Sequence, residues 1–205
     1  MQVNIQKSCG KNCKKSNCKR CNEPKPDLNG YCETCMTRIS EKIDEKIPER
    51  YKNTLDIYFT QASLLRGKSV FITGKTGSGK TALAYAIIEA ELLFDKNCKP
   101  VCYPELIDKL RYEGFNNIHY EKMRIAEFQG ALLLDDVGAE TASEFNRETL
   151  YMIINSRYQC NRQTIITSNM SLDQIAEIDD RIASRIAEMC EVIEMEDKDY
   201  RVISA

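Results

Sequence analysis

The sequence predicts an α/β fold: a five-stranded parallel sheet between layers of helices, with a small cysteine-rich module in front. Three observations carry that expectation. From Tyr51 onward, short aliphatic runs alternate with helical patterns, as a parallel sheet flanked by helices requires. One of those runs, Ser69-Val70-Phe71-Ile72-Thr73, leads straight into the glycine-rich segment Gly74-Lys75-Thr76-Gly77-Ser78-Gly79-Lys80-Thr81, which opens a helical pattern. Six of the ten cysteines fall before residue 36.

In chain order, residues 1–38 form the expected cysteine-rich module, 39–50 a helical linker and 51–205 the core. The first 40 residues carry eight basic and three acidic groups, a surplus of five in a chain whose net charge is −2. They show no hydrophobic period, so they need a staple to fold. Ile39, Ile43 and Ile47 recur every fourth residue and Pro48 forbids continuation, which predicts a short helix over 40–47. Strands are expected at 69–73, 99–103, 131–134, 164–167 and 191–195. Helices are expected at 81–94, 104–111, 121–128, 143–158, 171–177 and 180–189. The chain opens without a signal-peptide core and no later stretch approaches a membrane span, so a cytosolic protein with no membrane partner is expected.

Strand, glycine loop and helix in that order make a P-loop. Glycines let the backbone N–H groups converge on phosphate oxygens, and the helix N-terminus adds positive potential. Gly74, Lys75, Thr76, Gly77, Ser78 and Gly79 form the cradle, Lys80 reaches the β and γ phosphates, and Thr81 ligates Mg²⁺. Two more strands end in polar groups, at the edge where open parallel sheets bind ligands. Ala131-Leu132-Leu133-Leu134 runs into Asp135-Asp136, a Walker B pattern in which Asp135 holds Mg²⁺ and Asp136 polarises the attacking water. Thr164-Ile165-Ile166-Thr167 runs into Ser168-Asn169, and Asn169 is placed to position that water or sense the γ-phosphate. The plain alternative for the two aspartates is a strand-to-turn junction. Arg181 and Arg185, four residues apart, share a helix face behind Asp179 and Asp180, which suit a helix start. Such a pair is either a solvated basic face or a guanidinium presented to a neighbouring subunit's γ-phosphate.

Cys18-x2-Cys21 and Cys32-x2-Cys35 read as two metal-binding knuckles around an Asn29-Gly30 turn. Four thiolates close a tetrahedral Zn²⁺ shell, and in a segment with almost no core the metal supplies folding energy. Cys9 and Cys13 lie outside that pattern, open to replacing a pair, binding a second ion or staying free. Cys98, Cys102, Cys160 and Cys190 are expected to be buried as small apolar groups. His119, the only histidine, falls in an expected loop before a helix, with a surface or core role rather than ligation.

The motif order resembles helicase loaders of the DnaC/DnaI type, an AAA+ ATPase family that includes the IstB-like transposition helpers. The residues that carry it are Ile47-Pro48-Glu49-Arg50-Tyr51, the P-loop, Val101-Cys102-Tyr103, Leu132 through Glu140, Thr167-Ser168-Asn169, Asp180 through Ile186, and Asp199-Tyr200-Arg201. The resemblance implies an AAA+ three-layer core that binds ATP, with Arg185 as arginine finger, Asn169 as sensor I and Arg201 as a sensor II arginine. Asp136 stands where many AAA+ proteins have Glu, and the chain stops at Ala205 without room for the usual helical lid. The resemblance further implies that the zinc module grips a hexameric replicative helicase and that the core self-associates through Arg185 and helps place the ring on single-stranded DNA. The setting is the bacterial cytoplasm, for a chromosomal, phage or mobile-element protein. The alternatives are an IstB-like transposition helper, and a nucleotide-binding adaptor or inhibitor of the helicase with little hydrolysis.

Overall fold

In a computed structural model of the chain, residues 18, 32–52, 54–112, 115–139 and 143–195 are described. The chain divides into two units, the boundary falling between Lys42 and Ile43. The second unit is built on five parallel strands, β1 (Val70–Thr73), β2 (Cys98–Cys102), β3 (Ala131–Val137), β4 (Thr164–Ser168) and β5 (Glu191–Glu194), in the order β2-β3-β4-β1-β5. Alternate residues of the strands feed two separate cores, as the period of two demands. Phe71, Leu132, Leu134 and Ile166 face α4 (Tyr103–Tyr112), α5 (Phe115–Ala126), α6 (Glu144–Gln159), α7 (Leu172–Ile178) and α8 (Asp180–Met189). Val70, Ile72, Leu133 and Ile165 face α2 (Thr54–Leu65) and α3 (Lys80–Leu93). The expected three-layer α/β core with a five-stranded parallel sheet is therefore present.

Several element boundaries differ from expectation. Helix α1 runs from Glu33 to Lys46 rather than over 40–47, and the Met36 N–H donates to the Cys32 carbonyl at 2.9 Å. Cys32 and Cys35 thus flank the first helical turn, a spacing that puts them on one side. Helix α2 was not expected as an element of its own. It leaves Ile57, Phe59 and Leu64 exposed and is kinked at Tyr58, so it lacks a clean apolar stripe. Helix α5 begins at Phe115, not at residue 121, so His119 is an exposed helical residue rather than a loop residue. Strand β2 is shifted by one, and Tyr103 opens α4 with its side chain fully buried. Cys98 and Cys190 are buried as expected and Cys102 is half-buried, but Cys160 is exposed at the end of α6.

At the amino-terminal edge of the sheet the loops are tied together by buried charge. Arg157 of α6 is fully buried and donates to the carbonyls of Phe128 (2.9 Å), Gly130 (2.9 Å) and Gln163 (2.6 Å) and to Thr164 Oγ1 (2.8 Å). Burial pushes its guanidinium down to about 10, with neighbouring Arg162 adding to the shift, so it stays charged at neutral pH. Glu91 of α3, also fully buried, accepts from the Gly67 N–H and from Gln163 Nε2 and pairs with Lys96 at 3.1 Å. Replacing Arg157 with Ala takes a donor from four acceptors at once, of which the Gln163 carbonyl keeps the Leu132 N–H. Chemical denaturation is expected to show a loss of about 3 kcal/mol in unfolding free energy.

Candidate functional site

The candidate residues Lys80, Thr81, Asp135, Asp136 and Asn169 gather where β1, β3 and β4 end. Because β4 lies between β1 and β3, the segments that follow these three strands are neighbours. The loop after β1 leads to α3 through Gly79, whose φ of +94° is open to glycine and strained for other residues. A Cβ there would also lie 2.5 Å from the Tyr58 hydroxyl. Lys80 is buried, and its Nζ donates to the carbonyls of Gly74 and Lys75 and to Asn169 Oδ1, each at 2.8 Å. Asn169 Nδ2 in turn donates to Asp136 Oδ1 at 3.3 Å. A continuous polar chain therefore joins the loop lysine, the asparagine after β4 and the second aspartate of β3.

A second chain runs beside it. Thr81 Oγ1 donates to Asp135 Oδ1 at 3.0 Å, and Thr167 Oγ1 donates to the same oxygen at 2.7 Å. The Thr167 hydroxyl also accepts from the Asp136 N–H at 2.8 Å. Both aspartates belong to β3 itself, not to a turn after it. The ladder to β4 shifts register between Leu134 and Val137, and Asp136 takes a left-handed φ of +62°. A bulge with a non-glycine residue in that region stores strain and re-aims a side chain. Ser168 Oγ, donating to the Val137 carbonyl at 2.6 Å and accepting from the Met170 N–H at 3.0 Å, pins the two strand ends beyond the bulge.

Sequence reasoning assigned no role to Thr167, although the hydroxyl lies between the two aspartates. Its signal was a polar residue closing an aliphatic strand beside Asn169. The arginines share a face as expected, both guanidinium groups lying over Tyr151 at 4.4 and 4.9 Å from its centroid. Their surroundings were not expected. Arg181 forms a bidentate pair with Asp179, the buried cap of α8, at 2.9 and 2.6 Å, and this holds the Asp179 carboxyl below its ordinary value. Arg185 is half-buried and donates to Asn155 Oδ1 at 2.7 Å and to the Tyr151 hydroxyl at 3.2 Å, both on α6 rather than among the Lys80 group. A cavity of about 290 Å³, lined by Val137, Gly138, Leu150, Met170 and Ile182, adjoins the strand ends without including Lys80 or Thr81. Arg201, Cys9, Cys13 and Cys21 lie outside the described residues.

The residues present fit a magnesium triphosphate. Ser78 Oγ is buried inside the loop and makes no hydrogen bond among the described residues, as expected of a cradle that awaits an acceptor. In the first unit, the Sγ atoms of Cys18, Cys32 and Cys35 lie within 4.8 Å of one another, a donor set suited to a thiophilic ion.

The fold and site together define a P-loop ATP-binding protein of the AAA+ branch. Within it the chain belongs to the family described as IstB-like ATP binding protein, whose model matches residues 45–204. Relatives include YqaM of Bacillus subtilis strain 168, 29% identical over 176 residues covering 80% of this chain and 52% of that protein. The replicative helicase loader DnaI of the same strain is 25% identical over 139 residues, covering 66% of this chain and 45% of its own length. The chain thus spans about half the length of the curated relatives it matches. A crystal structure of the DnaC helicase loader superposes with a TM-score of 0.58 at 24% identity, over 73% of this chain and all of that one, a likeness of fold.

Burial pushes the Asp135 carboxyl up, opposed by the donating hydroxyls of Thr167 and Thr81; the Asp136 charge adds to the rise and Arg50 opposes it. A raised carboxyl favours folding only while protonated. Stability therefore falls as pH climbs from the unfolded carboxyl value through the folded one. Asp135→Asn keeps an acceptor for both hydroxyls and is expected to melt higher than the parent chain at pH 7. The gap closes on acidification through the carboxylate range, as thermal unfolding at a series of pH values measures.

Proposed function

We propose that the chain is an ATP-dependent helicase loader, and that the Lys80–Asn169–Asp136 chain of hydrogen bonds is its hydrolytic switch. That chain carries the reading because it links the lysine of the loop to the aspartate that would orient water. Lys80 would exchange its loop carbonyls for phosphate oxygens, freeing Asn169 to report the change to Asp136. Thr81 and Asp135 would hold Mg²⁺, which neutralises developing charge on the β and γ phosphates. Gly74 through Gly79 would wrap the polyphosphate with backbone N–H groups. Arg185 would act across a subunit boundary as arginine finger, leaving Asn155 and Tyr151 to do so, and Arg201 as sensor II.

The N-terminal module would hold structural Zn²⁺ through Cys18, Cys21, Cys32 and Cys35 and dock on the hexameric replicative helicase. The likeness to DnaI supports that partner. For single-stranded DNA the support is a set of exposed rings and cations on α4 and α5, where Arg111 pairs with Asp108 and Arg124 with Glu121. Tyr112 is 91% and Tyr120 66% exposed, beside Arg111 and Arg124. Burial, then the charges of Arg124, Lys109 and Lys46 against the opposing charge of Glu121, hold the Lys99 amine below its ordinary value, so these groups share one neighbourhood. Exposed rings among cations offer stacking platforms to unpaired bases. The compartment proposed is the bacterial cytoplasm. Among the described residues no helix is long and apolar enough to cross a membrane. The family description favours one second reading, a transposition helper acting on duplex DNA.

Steady-state ATPase assays with the full chain test the catalytic part. Mg²⁺-dependent turnover is expected, with Lys80→Ala and Asp136→Asn each lowering it by about a hundredfold or more. Activity that survives both substitutions contradicts the assignment. Size-exclusion chromatography with the host's replicative helicase tests the partner: a complex that is lost on zinc chelation is expected, and binding only to a transposase supports the second reading.

A further inference from the structure

A cation outside the P-loop stands on a tyrosine stack that leads to the aspartate end of the site. Arg50 sits in a 3-10 turn, Glu49–Tyr51, with its guanidinium carbon 4.6 Å from the centroid of the Tyr51 ring. Tyr51 is stacked on Tyr85, the centroids 4.8 Å apart and the planes 14° from parallel. Tyr85 lies one helical turn beyond Thr81 on α3, so the two share a face, and Thr81 donates to Asp135. The ladder Arg50–Tyr51–Tyr85 therefore rises beside the first aspartate. The charges agree with that placement. Burial pushes the Tyr85 hydroxyl up to about 12, the Asp135 charge adds to the rise, and Arg50 opposes it.

Two further facts give Arg50 a purpose beyond packing. It is exposed, while the acids around its turn are engaged by another cation: Lys52 pairs with Asp44 at 2.9 Å and with Glu49 at 2.7 Å. It also stands where charge must be balanced, because Asp135 and Asp136 oppose the approach of any anionic ligand. A guanidinium held on an aromatic stack loses little freedom when it meets a phosphate, and it is always charged.

We propose that Arg50 is a specificity-determining residue that favours a nucleoside triphosphate over the diphosphate, by setting a permanent positive charge at the aspartate end of the site. The proposal rests on the nucleotide-binding reading above. Lys80 serves the phosphates from inside the loop, and Arg50 serves the terminal phosphate from outside it. The competing role is mechanical, with the side chain only covering Tyr51.

The test is titration of the full chain, with Mg²⁺, against fluorescent derivatives of ADP and of a non-hydrolysable ATP analogue, for wild type, Arg50→Met and Arg50→Lys. Met keeps the aliphatic cover on Tyr51 without the charge. The triphosphate preference is expected to fall roughly tenfold in Arg50→Met, with ADP affinity held and most of the preference kept in Arg50→Lys. An unchanged ratio, or an equal loss for both nucleotides, overturns the proposal. A second arm stands even if Arg50→Met does not fold. Raising salt from about 0.05 to 0.3 M screens an exposed cation far more than buried Lys80, so the wild-type preference should narrow; a preference indifferent to salt overturns the role. Wild-type protein that binds neither nucleotide overturns the nucleotide-binding reading itself, and this inference with it.

Discussion

The insertion of β4 between β1 and β3 is the constraint on which the site depends. It makes neighbours of three strand ends that are far apart in the chain, and so lets Asn169 bond to Lys80 on one side and Asp136 on the other. Thr167, one turn of the ladder earlier, does the same for the aspartates, giving its proton to Asp135 and receiving that of the Asp136 amide. Had β3 and β1 been adjacent, the asparagine would have no path between them.

The two ends of the sheet are put to different uses. At the amino-terminal edge, Arg157 and Glu91 have several partners each, which hold loops together. At the carboxyl-terminal edge, polar groups are left under tension. Asp135 is half-buried against its preference for charge, Asp136 occupies a left-handed backbone position, and Ser78 keeps a buried hydroxyl without an acceptor among the described residues. Cost placed among these residues is what a site poised for an anion and a cation requires, since either ligand relieves it.

The P-loop, the five strands and most helices were legible in the sequence because each rests on local chemistry: glycines before a helix, aliphatic runs, caps such as Ser171 with Gln174. Strand order was not, since a run of Ile and Leu carries no label for its neighbours. Nor was the bulge at Asp136, which arises from how β3 meets β4. Helix α2 escaped notice because its apolar residues point both inward and outward. The early start of α1 was hidden by reading Cys32 and Cys35 as a knuckle, though three-residue spacing also suits a helical turn. The partners of Arg185 lie thirty or so residues away on α6, beyond any local pattern. The role of Thr167 was obscured because a strand-ending threonine is common, and only the facing aspartates give it meaning.

A crystal structure of the chain with Mn²⁺ and a non-hydrolysable ATP analogue tests the central claim most directly, since anomalous scattering places the ion without assumption. The account predicts one ion beside Thr81 and Asp135, with Lys80 moved from the Gly74 and Lys75 carbonyls onto phosphate oxygens. An ion held elsewhere, or Lys80 still bonded to those carbonyls beside bound nucleotide, would contradict it.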